Sequence, residues 1–201
     1  MLYAQCLWFD FTYLDDNVLV LQNYPFLSRM VNILGAFSQD LFRQTETPDV
    51  YYRPIITISL MLDAQVSGTS PFVYHLTNIL LHLIGSLSVF HLLKRLDYPR
   101  PAAFGMGLVF ATHPLFASAA AWIPGRNDTL MAIFSLWSFI WYLNFLQKGR
   151  IKALLLHLGF FGLALLSKEN ALLLLPVIIW HYIFVLGKRD FLSGRRRLLG
   201  G

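Results

Sequence analysis

The sequence is poor in charge and almost free of cysteine. Only 13% of its 201 residues are Asp, Glu, Lys or Arg, about half the share of a soluble domain, and 56% are hydrophobic. So few charges cannot clothe a water-facing surface. The single cysteine, Cys6, excludes an internal disulfide framework and any cysteine-based metal cluster. Internal repeats and low-complexity stretches are absent, and the N-terminus lacks the charged start and cleavage site of a signal peptide. The net charge of +5 does not argue for a nucleic-acid partner. Its basic residues sit in short turns between apolar runs, where they orient a membrane protein.

What the sequence does have is long apolar runs. Met1–Phe9 is apolar but reaches only about 14 Å as a helix, which reads as the tail of a first span. Five further runs follow: Phe72–Leu93, Ala102–Ile123, Thr129–Leu146, Ala153–Leu166 and Ala171–Leu186. Each approaches the length needed to cross a hydrocarbon core of about 30 Å, although Ala153–Leu166 is short at 14 residues. Pro176 interrupts the last, which neighbouring helices can tolerate in lipid.

The turns set the orientation. Lys94, Arg95 and Arg100 fall in one, Lys148, Arg150 and Lys152 in another, and Lys188, Arg189 and Arg195–Arg197 in a third. These alternate turns hold 11 of the 16 basic residues, which marks their side as cytoplasmic. The opposite side receives 9 of the 11 acidic residues. The fold class expected is all-α, a polytopic transmembrane helical bundle. Residues 1–9 end the first span, 10–71 form an outer loop, 72–187 hold five spans, and 188–201 are a basic cytoplasmic tail. In the outer loop, Phe26, Met30, Ile33, Leu34, Phe37 and Leu41 recur at helical spacing and predict an amphipathic helix on the membrane surface. Thr45–Tyr51 is a polar break, and Pro54 opens a second short helix ending near Gly68.

Several polar groups stand out against this background. Asp15 and Asp16 follow the first span. Two adjacent carboxylates repel, which raises one pKa toward a base's working range; the bland alternative is a turn or helix cap. Arg53 can grip a lipid phosphate bidentately or snorkel to ordinary headgroups. His75, Asn78 and His82 share one helix face, either bonding to neighbouring helices or lining a polar cavity. Histidines seven residues apart stand about 10 Å apart along the axis, too far for one metal ion. His91, His157 and His181 are taken as packing residues. His113-Pro114 predicts a kink or re-entrant turn. Trp122–Asp128 places Arg126 and Asp128 at a turn before the next helix, and Lys168 and Glu169 sit in the following outer turn. Each such charge would cost about 2.5–3.5 kcal/mol at mid-membrane, so these turns lie at the surface or line a cavity. A plain connecting loop with a salt bridge is the alternative for either turn.

In order, Asp15-Asp16, Tyr52-Arg53-Pro54, His75 with Asn78, His113-Pro114, Ala121 through Asp128, and Ser167-Lys168-Glu169 resemble the GT-C superfamily of membrane glycosyltransferases. The likeness is closest to its protein O-mannosyltransferase-like branch, including the transmembrane and tetratricopeptide-repeat-containing O-mannosyltransferases. It runs from about Phe11 to Pro176; no single motif is specific, and the likeness rests on the ordered set. The resemblance implies roughly twice as many spans and often a C-terminal repeat domain, neither of which this sequence contains. It implies inverting transfer of a sugar, mannose among the candidates, from a polyprenyl or dolichyl phosphate to an acceptor hydroxyl. Asp15 or Asp16 would be the base. Arg126 and Lys168, supported by Arg53, would stabilise the departing phosphate. Asp128 and His75 would orient sugar or acceptor, and Asn78, His113 and Glu169 would complete the substrate site. No cofactor is required; a divalent metal on the acidic outer face is possible chemistry and is not favoured. The implied partners are a lipid-linked sugar donor, a protein or glycan acceptor and membrane lipids. The membrane is bacterial inner membrane or endoplasmic reticulum, with the active face non-cytoplasmic. A transporter or flippase for an anionic or lipid-linked substrate, and a non-catalytic scaffold, are the competing readings.

Overall fold

A computed structural model describes residues 3–13, 15–43 and 51–186. Those residues are predominantly helical with no strand among them, as expected of a chain that must satisfy its backbone inside lipid. The expected basic tail and most of the polar break after Thr45 lie outside the described residues.

The first described element is a 3-10 turn, Ala4–Trp8, lying alongside the long helix α3 (Pro71–Arg95). Tyr3 meets His82 edge-on, whereas Phe9 meets His75, so the two segments run antiparallel. The outer loop then folds as short pieces. A π turn, Asn17–Gln22, leads into α1 (Tyr24–Leu27), followed by 3-10 turns at Met30–Ile33 and Gly35–Phe37. The single amphipathic helix expected from Phe26 to Leu41 is therefore corrected to separate turns. Arg29 leaves helical space at φ −114°, ψ 105°, which splits the anticipated apolar face. Leu41 is buried and Ile33 packs on the core, whereas Leu34 is 78% exposed.

The second outer helix forms as predicted. α2 (Pro54–Ser67) starts on a proline, whose missing N–H is unneeded there, and stops at Gly68, whose φ of 59° few other residues adopt. Leu19, Leu27, Leu41, Ile56, Leu60 and Met61 form a small core joining the loop to α2, closed below by Tyr74 and Ile123.

Beneath this cap lie α3, α4 (Arg100–Thr112), α5 (Ala117–Ala121), α6 (Arg126–Lys148) and α7 (Ile151–Ser167). α3 packs on α4 and α6, and α6 on α7. α3 is inside-out relative to a soluble helix. It buries His75, Asn78, His82, Ser86 and Ser88 while Leu80, Leu83, Ile84 and Leu87 are 44–66% exposed. Helices that expose leucine and bury polar groups have lipid as their solvent.

Length and composition alone qualify α3 and Ile123–Lys148 as membrane spans. The third predicted run is broken. His113 is extended at ψ 131°, Pro114 opens a 3-10 turn, and α4 meets Pro114–Ala121 at 53°. Counted as one bent span, it brings the total to three. The last two predicted runs map to α7 and to Glu169–Val185, apolar helices of 10–17 residues. The latter passes from a 3-10 turn (Glu169–Leu173) through α8 (Leu174–Trp180) into a π turn (His181–Leu186). Pro176 falls in the first turn of α8, where its missing donor costs nothing.

Candidate active site

Four of the sequence-predicted residues line one cleft at the end of the bundle where the outer cap sits. Asp15, Arg53, Asp128 and Lys168 face a space of about 370 Å³, together with Tyr51, Trp122 and Asn127. Asp15 arrives just ahead of the Asn17–Gln22 turn, and Arg53 is the residue before α2. Asp128 stands in the first turn of α6, where a carboxylate is favoured by the helix dipole. Lys168 is extended between α7 and the Glu169 turn.

The charges are arranged in pairs. Lys168 Nζ lies 2.6 Å from Asp128 Oδ1. Arg53 donates from Nε and Nη2 to the two oxygens of Glu169, at 3.1 and 2.7 Å. That fork holds the Glu169 carboxyl below the usual carboxylate range, and Arg53 also lies over the Tyr51 ring. Glu169 thus sits beside the cleft and fixes a residue that lines it.

The two aspartates have separate environments. Asp16 is 1% exposed, and its Oδ2 accepts from the Thr12 backbone N–H and hydroxyl at 2.8 and 2.9 Å. Asp15 is the one facing the cleft. Burial, and then the neighbouring Asp16 charge, push its carboxyl up.

Arg126 does not reach the cleft, contrary to the expectation that it would meet a phosphate. Its side chain is fully buried. It pairs with Asp63 at 2.6 Å and donates to Asn78 Oδ1, Ser59 Oγ and the Tyr74 carbonyl at 2.7–2.9 Å. These partners engage all three nitrogens of the fork, as a buried guanidinium charge requires compensation to survive. Asn78 belongs to the same network: its amide also donates to the Trp122 carbonyl at 2.8 Å. His75 is buried at 2% exposure, edge-on to Phe9. His113 is exposed and accepts from the Leu115 N–H, closing its own turn away from the cleft. Of the substrate-binding set, His75, Asn78, His113 and Arg126 therefore line no part of it.

Three contributors lie outside the predicted set. Asp63 supplies the countercharge to Arg126, and the signal was an acid inside the apolar stretch Leu60–Val66. Asn127 lines the cleft with its Oδ1 buried and unmatched by any protein donor. Tyr51 is the third, and an aromatic beside an arginine carried no distinct signal. Among the described residues, no three His, Cys, Asp or Glu side chains gather as a metal site would require.

Paired carboxylates and cations in a cleft walled by Trp122 and Tyr51 can take a proton and neutralise an anion within one small volume. Comparison with known proteins identifies the family. Residues 53–199 match the family model described as dolichyl-phosphate-mannose-protein mannosyltransferase. The chain is 32% identical over 183 residues to Protein O-mannosyl-transferase F38B6.6 of Caenorhabditis elegans, covering 88% of this chain and 26% of that protein. It is 28% identical over 170 residues to Protein O-mannosyl-transferase TMTC1 of Homo sapiens, covering 78% and 19%. With TMTC2 of Mus musculus the identity is 32% over 139 residues, covering 67% and 17%. The chain thus spans about a quarter or less of the length of these relatives. No solved structure matches it. With a family model covering most of its length, the chain belongs to the dolichyl-phosphate-mannose-protein mannosyltransferase family.

Proposed function

We propose that this chain carries the reacting end of a membrane glycosyltransferase that moves mannose from dolichyl phosphate to a hydroxyl on a protein. The observation that carries the reading is the cleft uniting Asp15, Arg53, Asp128 and Lys168, side chains drawn from across the sequence to one end of the bundle. The family supplies the donor and acceptor classes.

The reaction is a single displacement. Asp15 takes the proton of the acceptor hydroxyl as its oxygen attacks the anomeric carbon of the sugar. The bond from that carbon to the phosphate oxygen breaks, and configuration inverts. Lys168 and Arg53 stabilise the charge that grows on the departing dolichyl phosphate. Asp128 holds Lys168 in place until the phosphate competes for it, and Asn127 offers polar contacts to the sugar. Asp16, buried beside Asp15, shapes its surroundings, and His75 packs against the Phe9 end of the same segment. Arg126 and Asn78 pin the turn that presents Asp128. His113 sets the bend between α4 and α5. The two cations supply the positive charge that a divalent metal would otherwise bring.

The topology that fits is five crossings after a partial first one, with the α3–α4 and α6–α7 turns cytoplasmic. The cleft then opens on the luminal face of the endoplasmic reticulum membrane, the side where secreted proteins present hydroxyls.

The test is mannose transfer in liposomes holding the full-length protein, using radiolabelled dolichyl phosphate mannose and a serine- and threonine-bearing acceptor. Loss of transfer in Asp15→Asn with normal insertion supports the reading. Transfer unchanged by that substitution sinks it. Uptake or flipping of the donor without transfer would favour a transporter.

A further inference from the structure

At the opposite end of the bundle lies a second polar cavity, which sugar transfer does not use. It has a volume of about 270 Å³ at the α6–α7 turn and is lined by Trp141, Asn144, Lys148, Arg150, Lys152 and Ala153. Three of the six are cations, none is an acid, and none of the three has an ion-pair partner among the described residues.

The cavity is built to present donors. Arg95, from the end of α3, donates through Nη2 to the Asn144 and Gln147 side-chain oxygens. Arginine cannot accept, so the Asn144 oxygen must face it, and the amide N–H₂ is what Asn144 can turn to the cavity. Gly149 takes the left-handed conformation, φ 61°, ψ 14°, and reverses the chain. Arg150 then precedes the first turn of α7, whose free N–H groups add positive potential. Trp141 lies two turns along α6 from Lys148 and supplies an apolar wall, of the residue type that anchors at membrane interfaces.

We infer that this cavity binds the phosphate-bearing headgroup of an anionic phospholipid from the leaflet bordering the α6–α7 turn. The cations clustered between two membrane helices recognise phosphate, and the apolar side by Trp141 gives the acyl chains a way out into lipid. A free anion would share the phosphate chemistry but has no use for that wall. The inference does not rest on the mannosyltransferase reading, since it concerns the other end of the molecule.

The test is native mass spectrometry of the full-length protein with phosphatidylinositol 4-phosphate and, separately, phosphatidylcholine. The wild type is expected to bind the anionic lipid at least about tenfold more tightly. Lys148→Gln/Arg150→Gln/Lys152→Gln should abolish that preference. Lys94→Gln/Arg100→Gln, which removes charge from the neighbouring turn outside the cavity, should preserve it. Ten-millimolar-range inorganic phosphate (about 10 mM, far above the lipid concentration) should leave the lipid bound. Equal binding of both lipids by the wild type overturns the inference, as does an unchanged preference in the triple variant. Displacement by phosphate alone identifies a free-anion site and overturns the lipid assignment.

Discussion

Arg53 and Glu169 meet in a two-pronged hydrogen bond although 116 positions separate them in the sequence. One precedes the outer helix α2 and the other follows α7, so the pair ties the cap to the far side of the bundle. It also aims a guanidinium at the cleft.

That tie predicts a difference between conservative substitutions. Arg53→Lys keeps the charge but cannot form the fork, and should lower kcat/KM for mannose transfer by about tenfold. Glu169→Gln keeps an oxygen acceptor and should lower it less. The Glu169 carboxyl is held below its ordinary range, so the pair's contribution to stability is fully present above that range. It is lost as pH falls through the depressed value. Unfolding of wild type and Glu169→Gln followed between neutral and acid pH should therefore converge in acid.

Asp15 and Asp16 should separate cleanly. Asp15→Asn is expected to reduce transfer by about 10²–10⁴-fold, the usual worth of a general base, with unchanged thermal unfolding. Asp16→Asn retains an oxygen for Thr12 and should keep most activity. Because the Asp16 charge helps hold Asp15 above its ordinary range, removing it lets Asp15 ionise at lower pH. The acid limb of the pH–rate profile should shift downward in that variant.

The buried pair Arg126–Asp63 is a stability determinant. Arg126→Met strands an unpaired carboxylate in a sealed site, and should cost about 3–5 kcal/mol. Arg126→Met/Asp63→Leu removes both charges and should recover part of the loss. Denaturant titration in detergent micelles measures both.

Gly125 admits no side chain. A Cβ there would stand 2.7 Å from the Ser118 carbonyl oxygen and 3.1 Å from the Ala119 Cα, both backbone atoms that cannot swing aside. Gly125→Ala should destabilise the protein by about 1–3 kcal/mol. By moving the start of α6 it should also reduce transfer, read from thermal unfolding and activity on one preparation.

The cleft was legible where charge interrupted apolar sequence. Asp15, Asp128 and Lys168 stood out because lipid gives such residues few places to go, and alternate basic turns put them at one end. What escaped was rotation. Arg126 and Asp128 are two residues apart on α6, hence about 200° apart around it, so only one can face the cleft. Which one depends on Asp63, across a helix pair that no local pattern specifies. The outer loop failed differently. Its apolar spacing from Phe26 to Leu41 suits a helix, but the segment packs against α2 in separate turns, and tertiary contacts prevailed over periodicity. His113-Pro114 announced the bend, yet the ring closes its own turn instead of serving the site.

Carried across a bilayer, the 17 residues of α7 cover about 25 Å, which makes this helix a gauge of its surroundings. The endoplasmic reticulum bilayer, at about 27 Å, nearly matches it, whereas a plasma membrane of about 32–33 Å does not. In the thicker membrane, either Lys168 at one end or Arg150 at the other would be drawn toward hydrocarbon. On the proposed topology, the helix that delivers a cation to the cleft fits a thin bilayer better than a thick one, and lengthening it by one turn should shift the protein toward thicker membranes.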